Sequence, residues 1–270
     1  MAAGRDVSLR EVRAAIKRGI ITVSGRPWPP GRPVVGDEHI DIDRFIARAE
    51  AQPVPCADDR VAVVADLPDL LVLDKPSGMP TNPLRADETG TLLHAAVALH
   101  SSVASAGPPL EGGVAHRLDT GTSGIVLVAK TREARVRLRN AFRHHAVRKT
   151  YWALTKPPSW TTQTIIARIA GKGSKVRVVD GGQGLNAKTE AIVVRRTEQL
   201  AWIKASTQHG RRHQVRVHLS HAGAPLSGDT LYGGREAQRL GLHAGEVQLP
   251  DGRLFAAPLP PDLIALLEAP

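Results

Sequence analysis

The second half of the chain contains a series of short apolar segments, which leave few folds open to it. Segments of strand length lie at residues 150–154, 164–170, 176–179, 189–195 and 201–205. Turn residues separate them, among them Pro157-Pro158 and Asp180-Gly181-Gly182. No long helical pattern lies between one strand and the next, which argues against a strict alternation of strands and helices. The pattern therefore predicts an α+β domain with a mixed, largely antiparallel sheet.

The segments before and after this run predict further strands for the sheet and helices that pack around it. Apolar runs predict strands at residues 61–65, 70–74 and 125–129. Helical spacing predicts helices at residues 92–99, 131–145 and 260–268, and a loop that enters a helix at residues 208–222. Residues 101–113 carry small residues and two prolines, so a loop is expected there.

The N-terminal part differs from the rest and predicts a small appendage over residues 1–51. Leu9, Val12 and Ile16 share one helical face, Gly19 follows where a helix commonly stops, and residues 20–23 are typical of a strand. Residues 52–59 are rich in proline and charge and predict a linker. The main domain then extends over residues 60–270.

Composition favours a polyanion as the partner. The formal charge is +10 and the isoelectric point is about 10.3, which attracts phosphates, although compositional bias also produces basic surfaces. Aromatic residues make up 3% of the chain, which argues against a platform that stacks many bases. A single cysteine, Cys56, fits a reducing compartment. The lack of a long apolar run or signal-like start predicts a cytoplasmic protein without a membrane partner.

Three motifs carry the chemistry. The first, His116-Arg117-Leu118-Asp119-Thr120-Gly121-Thr122-Ser123-Gly124, places one carboxylate beside an arginine in a loop that leads into the strand at residues 125–129. The others are Arg148-Lys149-Thr150-Tyr151 and Gly210-Arg211-Arg212-His213-Gln214-Val215-Arg216-Val217-His218-Leu219. Together they resemble the RluA class of RNA pseudouridine synthases, from about Leu71 to Leu267. The resemblance implies a pseudouridine-synthase-like bent sheet, RNA as the partner, no cofactor and no protein partner, with nothing that requires more than a monomer.

The resemblance also assigns the catalytic residues. Asp119 is the implied catalytic carboxylate, and Arg216 is the partner that keeps it ionised; an Asp beside Thr and Gly can also simply cap a loop. Two routes stay open for Asp119, attack on the anomeric carbon or removal of a sugar proton. Tyr151 is implied to pack on the target uracil, with a half-buried strand tyrosine as the alternative.

A second group of residues is predicted to bind RNA. Arg117 corresponds to the family arginine that fills the space of the flipped nucleotide, and pairing with Glu111 is its alternative. The set is completed by the motif residues His116, Lys149, Arg212 and His213. A basic stripe on the helix at residues 131–145 is either a phosphate contact or a solvated face, and its members are Arg132, Arg135, Arg139 and Arg143.

Some features depart from the family pattern or suggest other sites. The histidines His209, His213, His218 and His221 cluster in the third motif but lack acidic or cysteine ligands at a recognised spacing, so no metal is predicted. Arg212 stands where a small hydroxyl residue is usual, and Asn82 stands where a histidine is frequent. The N-terminal segment resembles a truncated alpha-L RNA-binding module, with a plain β-extension as the alternative.

The sequence therefore predicts an isomerase that converts specific uridines of ribosomal or transfer RNA to pseudouridine. Two other functions are compatible with parts of the pattern. The first is a non-catalytic RNA-binding or ribosome-assembly factor that keeps the fold. The second is a nucleoside or glycoside hydrolase, which the lack of a second motif carboxylate disfavours.

Overall fold

The apolar runs of the main domain form one ten-stranded sheet in the computed structural model, which describes residues 8–29, 31–42, 52–171 and 173–268. Its strands are β4 (Ala62–Asp66), β5 (Leu70–Lys75), β6 (Ser123–Ala129), β7 (Arg148–Thr155), β8 (Thr162–Ala170), β9 (Arg177–Val179), β10 (Leu185–Arg196), β11 (Ala201–Thr207), β12 (Leu242–Gln248) and β13 (Leu254–Ala256). The order is β4-β5-β6-β12-β7-β11-β10-β8-β9, and β13 pairs with β12.

The pairing is antiparallel between these neighbours apart from β6 and β12, which run parallel. Helices flank the sheet: α2 (Leu92–Leu99), α3 (Ser102–Ser105), α4 (Arg132–Arg143), α5 (Gln214–His221) and α6 (Pro261–Glu268). The predicted α+β class with a mixed, largely antiparallel sheet is thus confirmed. None of the helices in the described ranges is long and apolar enough to cross a membrane.

Strands β5 and β6 are buried on both faces, which explains why their sequences are apolar without alternation. Leu71 and Leu73 of β5 pack in the core that contains α2, whereas Leu70 and Val72 pack in the core that contains Ala134 of α4. A strand covered on both sides needs apolar residues at every position. This double burial holds β6 firmly, together with the loop that precedes it.

Two predicted local structures differ from the observed ones. The expected loop at residues 101–113 contains the short helix α3, and strands β12 and β13 lie in a segment for which no element was predicted. In β12, His243 and Gly245 interrupt the apolar alternation, so periodicity does not reveal the strand. Its position is set instead by contact with β6 and β7.

The N-terminal segment forms a helix and a separate small sheet within the described residues. Helix α1 (Leu9–Lys17) begins at Ser8, whose side chain accepts a hydrogen bond from Glu11 N–H, and is followed by Gly19 at φ +73°. Strands β1 (Ile21–Val23), β2 (Arg26–Pro27) and β3 (Ile40–Ile42) pair in the order β2-β1-β3. Residues 43–51 of the predicted appendage lie outside the described residues.

Candidate active site

The loop of the first motif is fixed at its start by His116. The His116 Nε2 atom accepts a hydrogen bond of 3.1 Å from Leu127 N–H in β6, and the ring lies 4.6 Å from the ring of Phe142. Burial lowers the pKa of His116 to about 3. The imidazole is therefore neutral, which its role as an acceptor requires.

The middle of the loop is fixed by two residues that come earlier in the chain. Thr81 Oγ1 donates to Leu118 O at 2.9 Å and accepts from Leu118 N–H at 3.2 Å. Lys75 is fully buried, and its Nζ donates to the carbonyls of Pro76, Met79 and Thr120. Asp119 lies between these two tethered positions, so its backbone is held on both sides.

The Asp119 carboxylate meets an arginine 97 residues later in the chain. Arg216 Nη1 donates to Asp119 Oδ2 at 3.0 Å, and His213 Nε2 lies 3.8 Å from the same oxygen. The side chain of Asp119 keeps 27% of its surface exposed, whereas that of Arg216 keeps 12%. Asp119 Oδ1 accepts no hydrogen bond from the described residues, so one carboxylate oxygen remains available to a substrate.

Arg216 makes its strongest contacts with a second acid, Asp229. Its Nε and Nη2 atoms donate to the two Asp229 oxygens at 2.8 Å each, and the Asp229 side chain is 1% exposed. Burial alone lowers the pKa of Arg216, but the hydrogen bonds and charges of Asp229 and Asp119 outweigh it and raise that pKa. The guanidinium is thus a permanent cation between two carboxylates.

Tyr151 lies on β7 at the same cleft. Burial, with a further contribution from the Asp119 charge, raises the pKa of Tyr151. Its hydroxyl has no hydrogen-bond partner among the described residues. The phenol therefore stays protonated and can offer both its ring and its hydroxyl group to a ligand.

These groups open onto a cleft with about 440 Å³ of unfilled space, part of which is open solvent. Its lining is Arg117, Leu118, Asp119, Thr122, Lys149, Tyr151, Thr207, His209, Gly210, Arg211, His213, Gln214, Val215, Arg216 and Leu242. Asp119 is the one acidic residue of this described lining, which also holds four Lys or Arg side chains. The cleft suits a polyanion that must approach a single carboxylate.

The predicted RNA-binding residues do not all lie at this cleft. Arg117 is exposed there and makes no ion pair with the described residues, and its alternative partner Glu111 binds Arg135 at 2.6 Å instead. Lys149 and His213 also line the cleft. His116 does not, because its ring packs against β6 and α4.

The predicted arginines outside the first motif lie in different surroundings. Arg212 precedes α5, is exposed and donates to the carbonyls of Gly173 and Lys175; it does not line the cleft. In the α4 stripe, Arg135 is largely buried in its ion pair with Glu111 and is not available to phosphates. Arg132 and Arg143 are exposed and make no ion pair with the described residues.

The clustered histidines have separate structural surroundings. His218 Nδ1 lies 2.9 Å from Thr189 Oγ1, and burial lowers the pKa of His218 to about 4. The rings of His209 and His145 lie 4.4 Å apart. Within the described ranges, no group of three or more His, Cys, Asp or Glu residues is arranged to hold a metal ion.

The sequence pattern alone does not point to Asp229, Tyr232 or the supporting role of Lys75. Asp229 and Tyr232 lie in Ser227-Gly228-Asp229-Thr230-Leu231-Tyr232-Gly233-Gly234, a glycine-rich segment that is typical of a turn. One signal for Asp229 was available. A buried arginine has five N–H donors, and a single carboxylate that must also reach the substrate cannot satisfy them.

Comparisons with known proteins agree on one family. A family model described as RNA pseudouridylate synthase matches residues 69–221. Ribosomal large subunit pseudouridine synthase D of Pseudomonas aeruginosa is 32% identical over 277 residues, covering 93% of this chain and 84% of the relative. The uncharacterized RNA pseudouridine synthase YlyB of Bacillus subtilis is 30% identical over 274 residues, covering 97% of this chain and 89% of the relative.

A solved structure shows the same fold. Human RNA pseudouridylate synthase domain containing 4 superimposes with a TM-score of 0.62 at 23% identity, covering 77% of this chain and 92% of the human chain. The matched family region includes the three motifs and all of α5. This chain therefore belongs to the RluA-class RNA pseudouridine synthases, isomerases that make pseudouridine in RNA.

Proposed function

We propose that the enzyme isomerises selected uridines with Asp119 as the carboxylate that acts on the sugar. The observation that carries this proposal is the hydrogen bond from Arg216 to one oxygen of Asp119, with the other oxygen left open to the cleft. A carboxylate facing a fixed cation keeps its charge in a partly buried place. Both open routes, a covalent sugar adduct and removal of a sugar proton, require that ionised form.

The surroundings of Asp119 favour isomerisation over hydrolysis. A glycosidase uses a second carboxylate to activate water or to protonate the leaving group. The nearest other acid in the described site is Asp229, which is buried and occupied by two hydrogen bonds from Arg216. Isomerisation breaks the bond from the anomeric carbon to N1 of the uracil and forms one to carbon 5, while carbon 5 loses a proton and N1 gains one, so it needs no second carboxylate to activate water.

Tyr151 and Arg117 supply the remaining functions in this proposal. The buried ring of Tyr151 forms a wall of the cleft on which a uracil can pack. The exposed Arg117 lies at the cleft with its guanidinium unpaired among the described residues, so it can fill the gap left in a helix by the flipped nucleotide. Lys149 and Arg211 add basic groups at the same cleft for the RNA backbone.

We propose large-subunit ribosomal RNA as the first substrate to test, because several relatives carry that name, and transfer RNA as the second. The experiment maps pseudouridine by carbodiimide labelling and reverse transcription in cells with and without this chain. We expect at least one ribosomal site to disappear without the protein and to return with it. If the sites that depend on the protein lie only in transfer RNA, transfer RNA is the substrate. If no site changes in either RNA, the proposal is wrong.

We also propose that the N-terminal segment selects the substrate and does not take part in the chemistry. Its described part lies in a separate small sheet, and Arg18 binds Asp87 of the main domain at 2.8 Å. Deleting residues 1–51 should weaken RNA binding roughly tenfold or alter site choice, since it removes basic contacts. The rate at saturating RNA should stay within about threefold, because the deleted residues do not line the cleft.

Binding curves and single-turnover rates for the full and truncated chains measure these two effects separately. An Arg18→Ala variant serves as the control for loss of the ion pair alone. If the truncated enzyme binds RNA with the same affinity, modifies the same sites and reacts at the same rate, the segment does not select the substrate.

A further inference from the structure

The turn after α5 contacts both residues that face Asp119. It contains Asp229 and the single 3₁₀ turn Thr230–Tyr232. Gly234 N–H donates to Asp229 O at 2.8 Å, and Gly228 N–H donates to Arg235 O at 2.7 Å. A Cβ atom at Gly234 would lie 1.8 Å from Leu226 O, so the turn is packed directly against backbone. Such a turn has little freedom to move.

Asp229 fixes the orientation in which Arg216 meets Asp119. It accepts from the Nε and Nη2 edge of the guanidinium, and in the orientation that results Nη1 donates to Asp119 Oδ2 alone. A guanidinium free of Asp229 could turn its fork and bind both oxygens of Asp119, the geometry that arginine and carboxylate prefer. Asp229 therefore keeps the Asp119 contact to one oxygen and the other oxygen open.

Tyr232 fixes the second neighbour, His213. Its hydroxyl oxygen accepts a hydrogen bond of 3.1 Å from Val176 N–H, and it lies 2.8 Å from His213 Nδ1. Of these two described partners, only Nδ1 can accept a proton, so we infer that the Tyr232 hydroxyl donates to Nδ1. Burial, aided by Arg216 and Arg212 and opposed by Asp119, lowers the pKa of His213, so the ring is neutral. A neutral ring that accepts at Nδ1 carries its proton on Nε2, the atom that faces Asp119.

We propose that Asp229 and Tyr232 are positioning residues for this reaction, acting on Asp119 through Arg216 and His213. Asp229 keeps one oxygen of Asp119 free for the sugar, and Tyr232 presents the Nε2–H of His213 to the other oxygen. The inference rests on the proposed role of Asp119. It concerns the geometry of the carboxylate and predicts an effect on the chemical step that leaves RNA affinity unchanged.

The first test is a double-mutant cycle with Asp229→Asn and Arg216→Gln, read as the single-turnover rate at saturating RNA and as the RNA dissociation constant. We expect Asp229→Asn to lower the rate about 100-fold, the typical effect of misplacing a reacting group, with affinity within about threefold. If Asp229 acts through Arg216, the double variant is no slower than Arg216→Gln alone. Additive losses, or a loss explained by weaker RNA binding, would overturn the proposal.

The matched control is Glu111→Gln, which removes the carboxylate from Arg135, an arginine as buried as Arg216 and away from the cleft. It should leave the rate unchanged. If Asp229→Asn does not fold, Asp229→Glu takes its place, since it keeps the charge but displaces it by one methylene. A reduced rate with native affinity is expected for that variant, and the native rate would overturn the proposal.

The second test is Tyr232→Phe, followed by ¹⁵N NMR of the histidine rings. We expect the nitrogen shifts of His213 to move away from those of a pure Nε2–H tautomer, and the rate to fall several-fold. Unchanged shifts would refute the role of Tyr232.

The Asp119→Asn variant separates this inference from the proposed function. If Asp119→Asn is active, the proposed function is wrong. If it is inactive while Asp229→Asn is fully active, only the positioning role is wrong.

Discussion

We expect the Asp119→Asn variant to form no detectable pseudouridine, a loss of about 10⁴-fold or more, as for other groups that react directly with substrate. Asparagine has nearly the same shape as aspartate but carries no negative charge. It can neither attack the anomeric carbon nor accept a sugar proton at a useful rate. The measurement is the single-turnover yield of pseudouridine on a transcript of the RNA identified by mapping.

The same variant should fold and bind RNA almost normally, and the reason lies in the structure. Arg216 loses the charge of one partner but keeps two hydrogen bonds of 2.8 Å to Asp229, so no uncompensated charge is left buried. The expected cost is that of one charge-assisted hydrogen bond at a partly exposed site, about 1–2 kcal/mol. The stability measured by thermal unfolding and the RNA affinity measured by filter binding should therefore differ only slightly from those of the native chain.

Asp251→Asn is a suitable control for this substitution. Asp251 also binds an arginine, Arg253, at 2.6 Å, but it lies at the turn between β12 and β13. That variant should retain the native rate. Pseudouridine formed by Asp119→Asn at the same uridines would contradict the assignment of the carboxylate, whereas inactivity of both variants would point to a general loss of structure.

The elements whose burial follows a simple period could be predicted from the sequence. Strands β5 and β6 are continuous apolar runs because both of their faces are covered, and α1 has its apolar residues on one face with Gly19 beyond its end. The approach of Asp119 and Arg216 follows from no such period. They lie 97 residues apart, and only the resemblance of three motifs to one family predicted that they meet.

The residues that support the site could not be predicted in the same way. His116 belongs to the first motif, yet its position in the chain does not tell whether its ring faces the RNA or the back of the loop. Asp229 lies in a glycine-rich turn, and its role depends on its hydrogen bonds from Arg216. Only folding brings these two residues together. Local pattern predicts elements, whereas the pairing of buried polar groups depends on tertiary contact.

The position of strand β12 is also set by tertiary contact, and this contact makes Gly124 sensitive to substitution. This residue ends the first motif, has φ +120°, and pairs with Ala244 where β6 and β12 run parallel. A Cβ atom there would lie 2.2 Å from Ala244 O and 2.6 Å from its C and N atoms. Both the backbone conformation and the contact therefore require glycine.

We expect Gly124→Ala to destabilise the native state by about 4 kcal/mol or more, because backbone strain adds to an overlap that only a shift of β12 can relieve. Urea unfolding of purified protein measures this, and poor recovery of folded protein at 37 °C would be the first sign. The matched variant is Gly181→Ala, at φ +73° with no atom within 4 Å of its Cβ position. Since it suffers the conformational cost alone, it should lose about 1 kcal/mol. Equal losses in the two variants would show that the contact between β6 and β12 is not what makes glycine necessary at the end of the catalytic loop.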